Sequence, residues 1–140
     1  MWIDSRGSTV LPAPECMRLL AVAAQDIGVG RIGLATDQAP IVVPVNFTVY
    51  GNQVLLRLGI GFISHAAIDH LVAFEVDHVD RRTNSAWSVL VRGLATLIDD
   101  QDEASIAAAP KPLVAEPGDM VLAIRTDVVS GRRFDTHPAR

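Results

Sequence analysis

Ten residues, Ile41-Val-Val-Pro-Val-Asn-Phe-Thr-Val-Tyr50, run into Gly51-Asn52 and out again through Gln53-Val-Leu-Leu-Arg-Leu58. β-branched and aromatic side chains pack well on a pleated, half-buried surface. A two-residue glycine–asparagine link between two such runs is the signal of a tight hairpin. This feature constrains the chain most, because it commits the centre to antiparallel pairing. Pro44 falls inside the first run, has no N–H to give a ladder, and so marks an edge or a bulge.

The flanking segments extend the pattern. Further strands are expected over 29–36, 71–77, 86–98 and 120–126, with a few paired residues at Arg132-Arg133-Phe134. In 86–98, Trp87, Val89, Val91 and Ala95 share one face, and Gly93 marks a bend or bulge. Helical spacing of Cys16, Leu19, Leu20 and Ala23 behind Pro14 predicts a helix over about 14–25. A short helix is expected over 62–70, and a weak one after the acidic cluster 99–103, ending at Ala109. Residues 1–10 read as a flexible leader, 11–134 as one domain and 135–140 as a tail. Helices this few cannot cover a parallel sheet by crossovers. The expected fold is therefore mainly β: a six-stranded antiparallel barrel with two or three short helices.

Composition narrows the function. The apolar fraction is 49% before the ten glycines are counted, against about 45–50% with glycine included in average domains. A dimer interface would absorb the excess. A net charge of −4 argues against general nucleic-acid binding. No run reaches the roughly 20 apolar residues of a membrane span, and the first residues lack a signal-peptide layout, so a cytoplasmic location is the default expectation. Cys16, the single cysteine, reads as a small buried hydrophobe. The spacings of His65, His70 and His78 put no two ligands on one helix face, and no metal is expected. Of twelve basic residues only Lys111 is a lysine.

The order of segments resembles the pyridoxamine 5′-phosphate oxidase-like flavin-binding split-barrel family. The resemblance rests on Val29-Gly30-Arg31-Ile32-Gly33, the 40–47 run, Leu56-Arg57, Phe74-Glu75-Val76-Asp77, the 87–93 run and Gly131-Arg132-Arg133. It implies a homodimer with a small-molecule cofactor site at the subunit interface. FMN is the cofactor implied first, the deazaflavin F420 the alternative, and a distant haem branch uses a histidine near the C-terminus, where this chain has His137. By position, the resemblance places Pro44, Val45 and Asn46 along the isoalloxazine ring and Arg57 and Leu58 on the adjoining strand. It places Gly61, Phe62 and Ile63 at the phosphate turn, and Trp87 and Ser88 near the site from the partner. The implied activity is an FMN- or F420-dependent oxidoreduction, with no catalytic side-chain triad.

One departure stands out. Where the family has a Gly-Thr/Ser-Lys pattern at the phosphate turn, this chain reads Gly61-Phe62-Ile63. Removing one charge-assisted hydrogen bond to a phosphate costs about 1.5–3 kcal/mol, or roughly one to two decades of affinity. Relatives also carry a tryptophan in the later linker, where this chain has none over 111–118. Ser64 and His65 follow the turn as candidate substitutes. The alternative reading is a degenerate, non-catalytic split barrel that has lost phosphate binding and acts as a binding or structural dimer. Bland readings also stand for the Gly59–Gly61 pair as a plain turn and for Arg132-Arg133 as a solvated strand end.

Overall fold

The computed structural model of the 140-residue chain describes residues 2–3, 8–111 and 119–135. In chain order its elements are β1 (Trp2–Ile3), β2 (Thr9–Leu11), α1 (Ala13–Ala23), β3 (Val29–Leu34), β4 (Ile41–Tyr50) and β5 (Gln53–Leu58). There follow α2 (Phe62–Ala67), β6 (Leu71–Asp80), β7 (Ser85–Leu97), α3 (Glu103–Ala108), β8 (Met120–Arg125) and β9 (Val128–Asp135). The β4–β5 hairpin closes as expected: Tyr50 pairs with Gln53 and Gly51 takes φ +60°, as the first position of a type II′ turn requires.

Six strands form the barrel, in the order β7-β6-β3-β4-β5-β8, and a β7–β8 pairing closes the ring. Beyond it, β9, β2 and β1 continue the sheet from the first half of β7. One strand serves both parts: Ser85–Arg92 pair with β9, and Ala95–Leu97 pair with β8. Gly93 sits at the handover, where a Cβ would come within 3.1 Å of the Arg125 carbonyl oxygen. The glycine makes room for the close passage of β8, and the β6–β7 register runs through it without a bulge.

The barrel is filled by its inward rows. Ile32, Phe47, Leu56, Phe74, Val89, Val91, Leu122 and Ile124 are fully buried. α1 adds Cys16, Leu19 and Leu20 to the same core. Phe47 and Phe74 meet edge to face, centroids 5.0 Å apart at 64°. A Cβ on Gly30 would lie 2.4 Å from the Phe74 ring, so this glycine makes room for an aromatic side chain.

Most ends fall within two residues of the sequence reading; four stretches depart further. In the stretch read as a flexible leader, Trp2 and Ile3 form β1 and pair with Val10 and Thr9 of β2, which pairs in turn with β9 through Thr9↔Arg133 and Val10↔Arg132. Three residues are too few for a period-2 signal. β9 is an eight-residue strand, not a few paired residues; its exposed charged side chains hide the alternation. β6 runs on to Asp80, because beyond the core it continues as a ribbon with β7, with His78 and Val79 exposed. α2 stops at Ala67. There the chain turns back to the sheet: Asp69, at φ 61°, donates its N–H to Ala95 O at 2.7 Å, and His70 O accepts from Ala95 N at 3.0 Å. The tail expected from 135 lies outside the described residues, apart from Asp135.

Candidate functional site

Alternation along β4 sends Val43, Val45 and Phe47 inward and leaves Pro44, Asn46 and Thr48 on the outer face. On β5 the same rule turns Leu56 and Leu58 inward and Arg57 outward. Asn46 and Arg57 each lie one step beyond the Phe47↔Leu56 pair, on one outward row. The structure therefore brings Pro44, Asn46 and Arg57 together. Val45 is buried and Leu58 packs against the core, so either would meet a ligand only through its backbone.

α3 covers the outer face next to this row. Thr48 donates its hydroxyl to Ala108 O at 2.6 Å, and its cross-strand neighbour Leu55 is fully buried beneath it. The Asp102 carboxylate starts α3, accepting from Ser105 N at 3.1 Å and Ser105 Oγ at 2.8 Å. Arg57 donates through Nε to Pro110 O at 2.7 Å. Asn46 donates through Nδ2 to Gly28 O at 3.3 Å. Between these ties lies a cavity of about 470 Å³, walled by Gly28, Asn46, Thr48, Pro110, Lys111 and Asp26. The sequence reading missed Thr48, Pro110 and Asp26 here; the lone lysine, Lys111, was the one available signal.

The turn after β5 behaves differently from a phosphate cradle. Gly61 is extended, at φ 166°, and a Cβ on it would meet nothing within 4 Å. Its N–H donates to Ser64 Oγ at 3.0 Å, and the same hydroxyl donates to Gly61 O at 3.0 Å. Ser64 is fully buried in this reciprocal arrangement. It therefore does not replace the missing hydroxyl. His65 Nδ1 lies 2.7 Å from Gly61 O. Ile63 packs against the core, whereas Phe62 is 64% exposed and Ile60 65%.

Trp87 and Ser88 stand apart from this cluster. Trp87 packs against the core with its ring 6.4 Å from that of His78. Ser88 pairs with Asp77 and Arg132. In the order β7-β6-β3-β4, three strand spacings of about 4.8 Å separate Ser88 from the Pro44 row, roughly 14 Å. Within one chain the two do not share a small site.

The outer face between them carries a second feature. Small residues at Gly33 and Ala73 open a groove of about 680 Å³, lined also by Val42, Leu71, Arg92 and Val128. Val42 is 65% exposed and Leu71 75%. At one end Arg31 bridges Glu75 at 3.1 Å and Asp77 at 3.3 Å. Burial, then the hydrogen bond and charge of Asp77, push the Glu75 carboxyl above its ordinary value, against the pull of Arg31. Among the described residues no group of three or more His, Cys, Asp or Glu is placed to hold a metal ion. No described helix is long and apolar enough to cross a membrane.

Residues 12–133 match the family model described as pyridoxamine 5′-phosphate oxidase. The uncharacterized protein Rv0080 of Mycobacterium tuberculosis is 33% identical over 138 residues, covering 94% of this chain and 88% of that one. The structure of the FAD binding protein from Mycobacterium smegmatis superposes with a TM-score of 0.75 at 34% identity, covering 91% of this chain and 98% of that chain. A conserved protein of unknown function from Corynebacterium diphtheriae, DIP1874, gives 0.74 at 26% identity, with the same two coverages, 91% and 98%.

Proposed function

From the premise that this chain belongs to the pyridoxamine 5′-phosphate oxidase-like split-barrel family, we propose that it is a flavin-binding protein of the oxidoreductase type, with the cofactor held between two copies of the chain. The observation that carries the reading is the outward row of Pro44, Asn46 and Arg57, of which Asn46 lines a cavity of about 470 Å³ and Arg57 is tied to its wall at Pro110. That volume is in the range of small-molecule sites, which are mostly apolar with a few placed polar groups. The M. smegmatis relative that binds FAD supports the same ligand class.

The residues present fit the ring end of a flavin better than a terminal phosphate. Pro44 and the outward backbone of β4 give a flat apolar wall, and the Asn46 amide and the Arg57 guanidinium add directed donors. Held by Pro110 O through Nε, Arg57 keeps its two terminal nitrogens for an acceptor on the ligand. The flavin, when bound, supplies the hydride chemistry, with a reduced nicotinamide or a small organic acceptor as the other reactant. The protein binds and orients.

The groove over Gly33 and Ala73 is the dimer face in this reading. Val42, Leu71 and Val128 are 65%, 75% and 49% exposed, and burying what remains exposed would gain each about 1–2 kcal/mol. Arg31, Glu75 and Asp77 along the rim would set register across the two-fold axis. A second copy also offers a way for Ser88 to reach a ligand on the Pro44 row.

A second reading, the degenerate barrel without a cofactor, is favoured by Phe62 and Ile63 in place of polar phosphate ligands. Purified protein separates the two. A yellow preparation, or quenching of flavin fluorescence on titration, supports the flavoprotein. A colourless protein that binds no added FAD, FMN or F420 leaves the degenerate dimer.

A further inference from the structure

Resting on the flavin reading above, we infer that the turn at Gly59–Phe62 selects a dinucleotide flavin over a mononucleotide, with Phe62 as the platform on which the purine base stacks. The turn offers a terminal phosphomonoester no lysine, no arginine and no free hydroxyl, and His65 is its one basic side chain. The Gly61 N–H is taken by Ser64 Oγ, and that hydroxyl is in turn committed to Gly61 O. Ile63 faces the core. From Leu58 to Asp69 there is no lysine or arginine, and Arg57 at the end of β5 is the nearest in sequence.

What the turn presents instead is apolar surface. Ile60 and Phe62 are 65% and 64% exposed on either side of Gly61, and the space in front of Gly61 is open. In the flavin reading this turn lies at the far end of the ligand, and these two exposed apolar side chains are what the ligand would meet there. An aromatic face takes any base by stacking, without a hydrogen-bond code. The charge placement agrees. Arg57 ends the outward row that holds Asn46 and comes four residues before Gly61 on the same strand and turn; the diphosphate linking flavin and adenosine would leave the ring there, and guanidinium suits such oxygens. A mononucleotide would end its dianion against Phe62; a dinucleotide carries its phosphates past Arg57 and sets a planar base there.

The test is an equilibrium titration of the purified chain, in its native oligomeric state, with FAD, FMN and riboflavin. Wild type is expected to bind FAD more tightly than FMN. Phe62→Ala should weaken FAD about tenfold to a hundredfold and leave riboflavin, which has no base to stack, unchanged. Phe62→Trp should retain FAD affinity. Because Phe62 is largely exposed, thermal melts of both variants should match wild type. FMN binding as tight as FAD in wild type overturns the inference. So does an alanine variant that keeps its FAD affinity, or one that loses FAD and riboflavin alike. Binding of none of the three overturns the flavin reading itself, and this inference with it.

Discussion

Gly30→Ala should destabilise the fold by crowding one ring. The new methyl would sit 2.4 and 2.6 Å from two carbons of the Phe74 ring and 3.0 Å from the Glu75 carbonyl oxygen. Phe74 is fully buried and already set edge-on against Phe47, so its ring has little freedom to retreat. Overpacking of this kind costs about 1–3 kcal/mol. The alanine recovers about 0.4–1 kcal/mol by restricting the unfolded chain, leaving a net loss of about 1–2 kcal/mol. Urea unfolding at one protein concentration, with an unchanged m-value, reads this directly. Gly61→Ala is the control for crowding: its Cβ meets nothing within 4 Å, so any loss there comes from replacing glycine at the start of α2 and should not couple to Phe74→Leu. Phe74→Leu removes the ring, so the double variant with Gly30→Ala should lose less than the sum of the two single losses. A residual cost remains from Glu75 O. Strict additivity, or a Gly30→Ala chain as stable as wild type, would refute the packing argument.

Three further outcomes are expected. Glu75 holds its proton more tightly folded than unfolded; between the ordinary carboxylate range and its raised folded value the unfolded state releases the proton first, so stability falls as pH rises through that window. Glu75→Gln should therefore be more stable than wild type at neutral pH, with the gap closing below the window in pH-dependent thermal melts; an equal gap at all pH values contradicts this. Val42→Glu places a charge on the groove without touching the core, and sedimentation should show a shift toward monomer; an unchanged mass removes this face from the interface. Arg57→Ala should lower flavin affinity by about one to two decades in a fluorescence titration; full affinity retained would move the site elsewhere.

The barrel was legible because its signals are local. The 41–58 hairpin, the shared face of Val89, Val91 and Ala95, and the Cys16–Leu20 stripe each follow from a short-range period that burial confirms. Where the period vanished, the reading fell short. β9 is exposed on most positions, and β2 is three residues long, so their pairing is a tertiary fact. Pro44, Asn46 and Arg57 were legible as site residues through the family resemblance, not through a local period. Alternation alone turns Asn46 and Arg57 outward, whereas Thr48, Asp26 and Pro110 join the cavity only because α3 and the α1–β3 turn fold back onto β4. The departure at Gly61-Phe62-Ile63 was visible in the sequence. Its physical meaning was not, since it depends on the Ser64 hydroxyl closing onto Gly61.

Sedimentation velocity of the chain mixed with FAD, followed in the flavin's visible absorption band, tests flavin binding and assembly together. Visible absorbance is expected to move with a species of twice 15.0 kDa. Flavin absorbance that stays at the meniscus, or that travels with a single 15.0 kDa chain, would contradict a flavin held between two copies.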